Sequence, residues 1–154
     1  MGTLSAPRPL LKSDDRASFD CGQNSLNHWF VRHAWGNEQE DASRTYVMVD
    51  AETDCIAGYV SLVSGQIERE FLPKNRQRNK PDPVPIVLLG QLGVDLRYQG
   101  RGCGAGLLRH ALSVSLEASA SVGAVGVLTH PLDAAAKEFY ERYGFESLIG
   151  DPKG

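Results

Sequence analysis

No apolar run in this chain approaches the roughly 20 residues that a membrane-spanning helix requires. Its start, MGTLSAPRPLLK, lacks the apolar core of a signal peptide. Cysteine is scarce: Cys21, Cys55 and Cys103 are odd in number and far apart, implying neither a disulfide framework nor a metal knuckle. His28 and His33 stand five apart, poor spacing for a shared metal on one helix face, so no metal site is expected. Positive charge is not in excess either. The net charge of −3 argues against a generic nucleic-acid binder, which is usually basic. Internal repeats, low-complexity tracts and linkers are absent, and 154 residues fit one domain, 1–154, with a sizeable core. A reducing cytoplasm is the expected compartment. One local absence bears on chemistry: from Val84 to Val94 there is no Asp or Glu.

What is present centres on Pro85 to Ala111, PIVLLGQLGVDLRYQGRGCGAGLLRHA. Ile86, Val87, Leu88, Leu89, Leu92 and Val94 read as a buried strand. Gly90 and Gly93 interrupt it, and a glycine within a strand marks a bulge or the close approach of another backbone. After Asp95–Tyr98 comes Gln99-Gly100-Arg101-Gly102-Cys103-Gly104, then Leu107, Leu108, Ala111 and Leu112 at helical spacing. A glycine-rich loop entering a helix points successive N–H groups at one spot, with the positive end of the helix dipole behind them, and that geometry binds phosphate. The spacing is neither that of a Walker loop nor the G-x-G-x-x-G of dinucleotide sites.

In chain order, Leu10 and Leu11 supply a short first strand. Asn24 or Ser25 caps a helix, in which Leu26, Trp29, Phe30, His33 and Ala34 recur at spacings of three and four and which fades near Glu40. Arg44–Asp50 and Cys55–Gln66 form a hairpin. A loop over 68–83 follows, carrying Arg69, Lys74, Arg76, Arg78 and Lys80, and kept irregular by Pro81 and Pro83. On composition alone this run is either a solvated loop or an anion-binding one. Beyond the central strand the pattern predicts a helix over Gly104–Ala120, a strand over Gly123–His130, a helix over Ala134–Tyr143 capped by Asp133 and closed by Gly144, and a strand from Phe145 to Ile149. The expected fold class is α+β, with one mixed sheet.

Several of these segments carry a resemblance. Gln99-x-x-Gly102-x-Gly104 resembles the acyl-CoA signature Q/R-x-x-G-x-G/A of the GNAT acetyltransferase superfamily. Ala136-Lys137-Glu138-Phe139-Tyr140-Glu141-Arg142-Tyr143-Gly144-Phe145 is similar to that superfamily's A-x-x-F-Y-x-x-x-G-F ending. Phe19-Asp20-Cys21-Gly22 with Leu26 and Trp29 resembles the opening of the GNAT toxins of type II toxin–antitoxin operons, the TacT-like group. Ala42–Thr45 and Arg76–Pro85 are similar to that group as well. The resemblance implies a GNAT fold: a mixed, mostly antiparallel central sheet, splayed at the central strand and flanked by helices. It also implies acetyl-CoA as cosubstrate and acetylation of the α-amino group of aminoacyl-tRNA, which stops translation. A ribbon–helix–helix antitoxin partner that represses transcription together with the toxin, and a homodimer, are implied too. Two departures stand out. Gln91 occupies a position where the group usually has Arg, and the group continues past Asp151-Pro152 into a last apolar strand, so this sheet is expected to have a short or missing edge.

The chemistry that follows has a donor side and an acceptor side. Gln99, Gly100, Arg101, Gly102, Cys103 and Gly104 are the candidate diphosphate loop; Leu92, Gly93 and Val94 offer strand-edge groups to the pantetheine arm. The resemblance adds His130 and Phe139 to the cosubstrate site. Tyr140 is the candidate general acid for the leaving thiolate, its alternative being a core aromatic. With a phenol pKa of about 10 and a thiol pKa of about 8.5, full transfer is uphill by about 2 kcal/mol. An α-amine, with a pKa of about 8, is roughly a tenth unprotonated at pH 7, so a site without a strong base suits it better than a lysine. Arg76, Arg78 and Lys80 are the candidate tRNA contacts, with Arg44, Arg32 and Arg8 behind them. The alternatives left by the sequence are an acetyltransferase of small amines or protein N-termini, and a catalytically idle acyl-CoA-binding or operon-regulating module.

Overall fold

The computed structural model describes residues 3–148. Five strands form one sheet in the order β1-β2-β3-β4-β5. These are β1 (Arg8–Pro9), β2 (Arg44–Val49), β3 (Ile56–Ile67), β4 (Val84–Val94) and β5 (Val127–Thr129). The first four pair antiparallel; β4 and β5 pair parallel, so the sheet is mixed and mostly antiparallel as expected. The helices are α1 (Asn24–Arg32), α2 (Ala34–Gln39), α3 (Cys103–Ser121) and α4 (Ala134–Arg142).

Both sheet faces are covered, which is why the first part of β3 is buried without alternation. On one face Tyr59 packs with Phe30, Val47 and Phe19 under α1 and α2. Its ring stacks on Phe30 at 4.1 Å and its hydroxyl donates to the Leu26 carbonyl at 2.8 Å, fixing α1 on the sheet. On the other face the neighbouring Val60 packs with Leu89, Leu107, Leu108, Ala111 and Tyr140 under α3 and α4. Consecutive residues of one strand thus feed two cores, as the two-residue period of a strand requires.

Several sequence expectations need correction. The first strand is Arg8–Pro9, and Leu10, one residue later, is a core side chain. Neither Asn24 nor Ser25 caps α1. Gln23 precedes it without a side-chain cap bond, and the turn is fastened from within the helix, where Asn27 accepts from Cys21 N and donates to Asp20. The helix expected to run toward Glu40 breaks at His33 into α1 and α2. Asp133 does cap α4, accepting from Ala136 N at 2.8 Å. The strand expected over 123–130 is only Val127–Thr129. Residues 145–148 form no strand, and position 149 lies outside the described residues.

Candidate active site

The site follows from where the β4–β5 pairing stops. Val87, Leu88 and Leu89 pair with Val127, Leu128 and Thr129, and among the described residues no β4–β5 pair follows. A bulge sits at the same place: Leu62 pairs with Leu89 but Ser61 with Gln91, so Gly90 is the extra residue on β4. Beyond it, β4 from Gln91 to Val94 stays paired to β3 but has an open edge on the β5 side. The result is a crevice of about 860 Å³. Gly90–Val94 form one side of it, α1 contributes Leu26, Trp29 and the following His33, and Thr129, His130, Ala136 and Tyr140 form the other side. The bulge and the open edge are the features expected from the two glycines. A Cβ at Gly93 would stand 3.4 Å from Cys21 Sγ and the Tyr59 ring, ordinary contact with side chains and not the close approach of another backbone.

At the far end of β4 the glycine loop enters α3. Gly102 is the N-cap residue at φ +80°, in the left-handed region, and Gly100 lies at φ +81°. The amides of Cys103, Gly104 and Ala105 open the helix and therefore have no intrahelical acceptor. The loop is held from behind. Asp95, 1% exposed, accepts from Arg97 N and Asp20 N and receives Arg97 Nε and Nη2 at 2.9 and 3.0 Å. Burial pushes the Asp95 carboxyl up, but the Arg97 guanidinium and the two amides outweigh it and hold it below the usual carboxylate range. Tyr98 donates to Asp50 at 2.7 Å, pinning the turn to the end of β2. This Asp95 hub escaped the sequence reading; an Asp just after a strand and before a tight turn was the available signal.

The expected donor-side residues divide. Leu92, Gly93, Val94, Gln99 and His130 line the crevice. Gly104 backs onto Phe139, whose ring lies 3.5 Å from a Cβ built on the glycine, so Phe139 braces the helix start. Arg101 is exposed and leans over the Tyr98 ring, 5.3 Å from its centroid. The Cys103 side chain is 2% exposed and its Sγ donates to the Tyr98 carbonyl, so its part in the loop is through its amide. The Gln99 side chain also turns elsewhere, donating to the carbonyls of Val94 at 2.9 Å and Cys21 at 3.3 Å.

Tyr140 is packed as a core aromatic and also reaches the crevice. It is 7% exposed, with its ring edge-on to Phe139 and Phe145. Burial pushes its phenol up to about 12. Against a free thiol near 8.5, full proton transfer is then uphill by about 5 kcal/mol, more than the sequence suggested. A thiolate formed beside the buried Tyr140 ring is raised by desolvation as well, which narrows the gap. A hydrogen bond to the departing sulfur, with partial transfer, is the role this environment favours.

On the cationic side two candidates, Arg44 and Arg8, are tied to carboxylates of their own chain. Arg44 is held by Glu38 at 2.7 Å and by Asp41, because the chain after α2 folds back, Ala42 N bonding the Asn37 carbonyl. Arg8 is likewise bidentate to Asp14. Arg76 makes only an exposed contact to Glu146 at 3.2 Å. Arg78 and Arg32 are exposed, and among the described residues neither forms an ion pair. The Lys80 carbonyl accepts from Arg69, and its side chain borders a second groove of about 600 Å³ on the outer side of β5. Tyr140 stands between that groove and the crevice. Among the described residues no group of three or more His, Cys, Asp or Glu is placed to hold a metal ion, and no helix is long and apolar enough to cross a membrane.

Comparison with known proteins agrees with this geometry. Residues 41–147 match the family model of the acetyltransferase (GNAT) domain. A tRNA-acetylating toxin of Mycobacterium tuberculosis is 37% identical over 152 residues, covering 99% of this chain and 90% of the relative. Among solved structures, AtaT complexed with acetyl-methionyl-tRNAfMet superposes with a TM-score of 0.89 at 32% identity, covering 98% of this chain and 91% of that one. A tyrosine-to-phenylalanine mutant of AtaT, bound to the C-terminus of the antitoxin AtaR and acetyl-CoA, gives 0.80 at 29% identity, covering 97% and 89%.

Proposed function

The chain belongs to the GNAT acetyltransferase family, and from that premise we propose that it is a toxin that moves the acetyl group of acetyl-CoA to the α-amine of aminoacyl-tRNA and so blocks translation. The observation that carries the reading is the crevice opened where β4 parts from β5, with the glycine loop at one end and Tyr140 at its side. The open β4 edge at Leu92, Gly93 and Val94 takes the pantetheine arm as an added strand. The amides of the α3 start, with Arg101 beside them, take the diphosphate.

In the reaction, the acceptor amine attacks the thioester carbonyl from the α1 side. A backbone N–H of the open β4 edge stabilises the oxygen as it gains charge. The nitrogen sheds its proton to water, the C–S bond breaks, and the Tyr140 hydroxyl donates a hydrogen bond to the sulfur that leaves. No carboxylate on β4 is available to take the amine proton. The site therefore favours an amine with a usable neutral fraction, about a tenth at pH 7 for an α-amine with a pKa near 8, over a lysine. Arg76, Arg78 and Lys80 on the loop before β4, with Arg32 at the end of α1, hold the acceptor stem, each phosphate contact releasing counterions. A ribbon–helix–helix antitoxin neutralises the enzyme and represses transcription with it, and the active form is a homodimer in the cytoplasm.

The test is transfer of label from acetyl-CoA to purified charged tRNA. The label is expected on the amino acid, released with it when the ester is hydrolysed. Strong labelling of a peptide or polyamine with none on any charged tRNA would instead identify an acetyltransferase of small amines or protein N-termini.

A further inference from the structure

We propose that Gln99 is a positioning residue that couples cosubstrate binding to the acceptor wall of the crevice. The inference rests on the reading of that crevice as the acetyl-CoA site. Helix α1 carries the acceptor wall, through Leu26 and Trp29, and it is launched from the turn at Asp20–Gly22. That turn is tied to the segment leading into the glycine loop by three hydrogen bonds. Asp20 N donates to Asp95 at 3.0 Å, Leu96 N donates to the Asp20 carbonyl at 2.9 Å, and Gln99 Nε2 donates to the Cys21 carbonyl at 3.3 Å. The same Nε2 reaches the carbonyl of Val94, the last residue of β4, at 2.9 Å. One exposed amide thus bridges the donor strand and the base of the acceptor helix.

The Asp95 and Gln99 ties are both part-buried and differ in strength. The Asp95 bond is made to a carboxylate also fixed by Arg97, so it is present with or without ligand. The Gln99 bond is neutral, 3.3 Å long and made by a side chain at the crevice that shares its nitrogen with Val94, so water competes for it. A cosubstrate lying along Leu92–Val94 and the glycine loop covers that amide. Excluding water strengthens an amide–carbonyl bond, so the bridge tightens on binding and holds the start of α1 in place. By linkage, an acceptor seated against α1 tightens the cosubstrate by the same factor.

Hydrogen–deuterium exchange with desulfo-CoA, an unreactive probe of the donor site, tests this without needing the acceptor. In the wild type, amides of both the α3 start and α1 are expected to slow, those of α1 on the order of 5-fold. Gln99→Met, which keeps the length and removes the donor, is expected to retain slowing at the α3 start and lose it in α1. Gln99→Arg restores the donors and is expected to restore the α1 effect. Equal slowing of α1 in wild type and Gln99→Met would overturn the proposal. So would slowing confined to the α3 start in the wild type, or loss of desulfo-CoA binding by Gln99→Met, which would make Gln99 a direct ligand. No slowing anywhere in the wild type would overturn the acetyl-CoA reading of the crevice and this coupling with it.

Discussion

The Thr129 hydroxyl donates to the Leu89 carbonyl at 3.0 Å across the last row in which β4 and β5 are still paired. That bond closes the paired part of the sheet at the place where the crevice begins. Removing it with Thr129→Val leaves a part-buried carbonyl without its side-chain donor and is expected to cost about 1 kcal/mol. Thr129→Ser should recover most of the loss. A urea midpoint shift at unchanged slope is the measurement; equal midpoints for Val and wild type would show the bond is idle.

Tyr140→Phe removes the hydroxyl and keeps the ring that packs against Phe139 and Phe145. Turnover is expected to fall by about 10²- to 10⁴-fold with acetyl-CoA affinity nearly unchanged. An affinity loss as large as the rate loss would instead make the hydroxyl a binding group.

The pH profile carries a sign. The acceptor must be neutral, so activity should rise with pH toward about 8, the ordinary value of an α-amine. The phenol must stay protonated, and burial pushes Tyr140 up to about 12. No alkaline fall from Tyr140 is therefore expected below about pH 10. A fall beginning near pH 9 that disappears in Tyr140→Phe would contradict the buried, neutral phenol.

The arginines should separate by their partners. Arg76→Ala and Arg78→Ala are each expected to weaken charged-tRNA binding and to flatten its log–log salt dependence by about 1. Arg44→Ala, which strips Glu38 and Asp41 of their shared partner, should leave that slope unchanged and lower stability by about 0.5 kcal/mol. Titrating binding against salt distinguishes them; a slope change in Arg44→Ala would put that residue back on the RNA face.

Asp95 is held below the usual carboxylate range, so its contribution is present above an unfolded value near 3.9 and fades as pH falls through the lower folded value. Asp95→Asn should cost about 2 kcal/mol at pH 7. The gap to wild type should begin to narrow at about pH 4 and close only below the lower folded value. A gap independent of pH would mean that shape, not charge, matters at this position.

The long elements were legible because their chemistry is local. The alternation of Arg44–Asp50, the glycines at 90 and 93, and the Asp133 cap each act within a few residues, and β2, the parted sheet and α4 follow them. What escaped depends on partners distant in sequence. Asp95 meets Asp20 across 75 positions, and Gln99 meets Cys21 across 78, so neither hub leaves a periodic trace. The break at His33 has no proline or glycine to announce it.

Two concavities meet at Tyr140, and only one of them leads to the glycine loop. A crystal structure with acetyl-CoA is the most direct test of the account. The diphosphate is expected within hydrogen-bond distance of the α3 amides near Gly104, with the thioester beside the open edge of β4 and near Tyr140. Coenzyme in the outer groove by Lys80, or none in the crevice at saturating concentration, would contradict it.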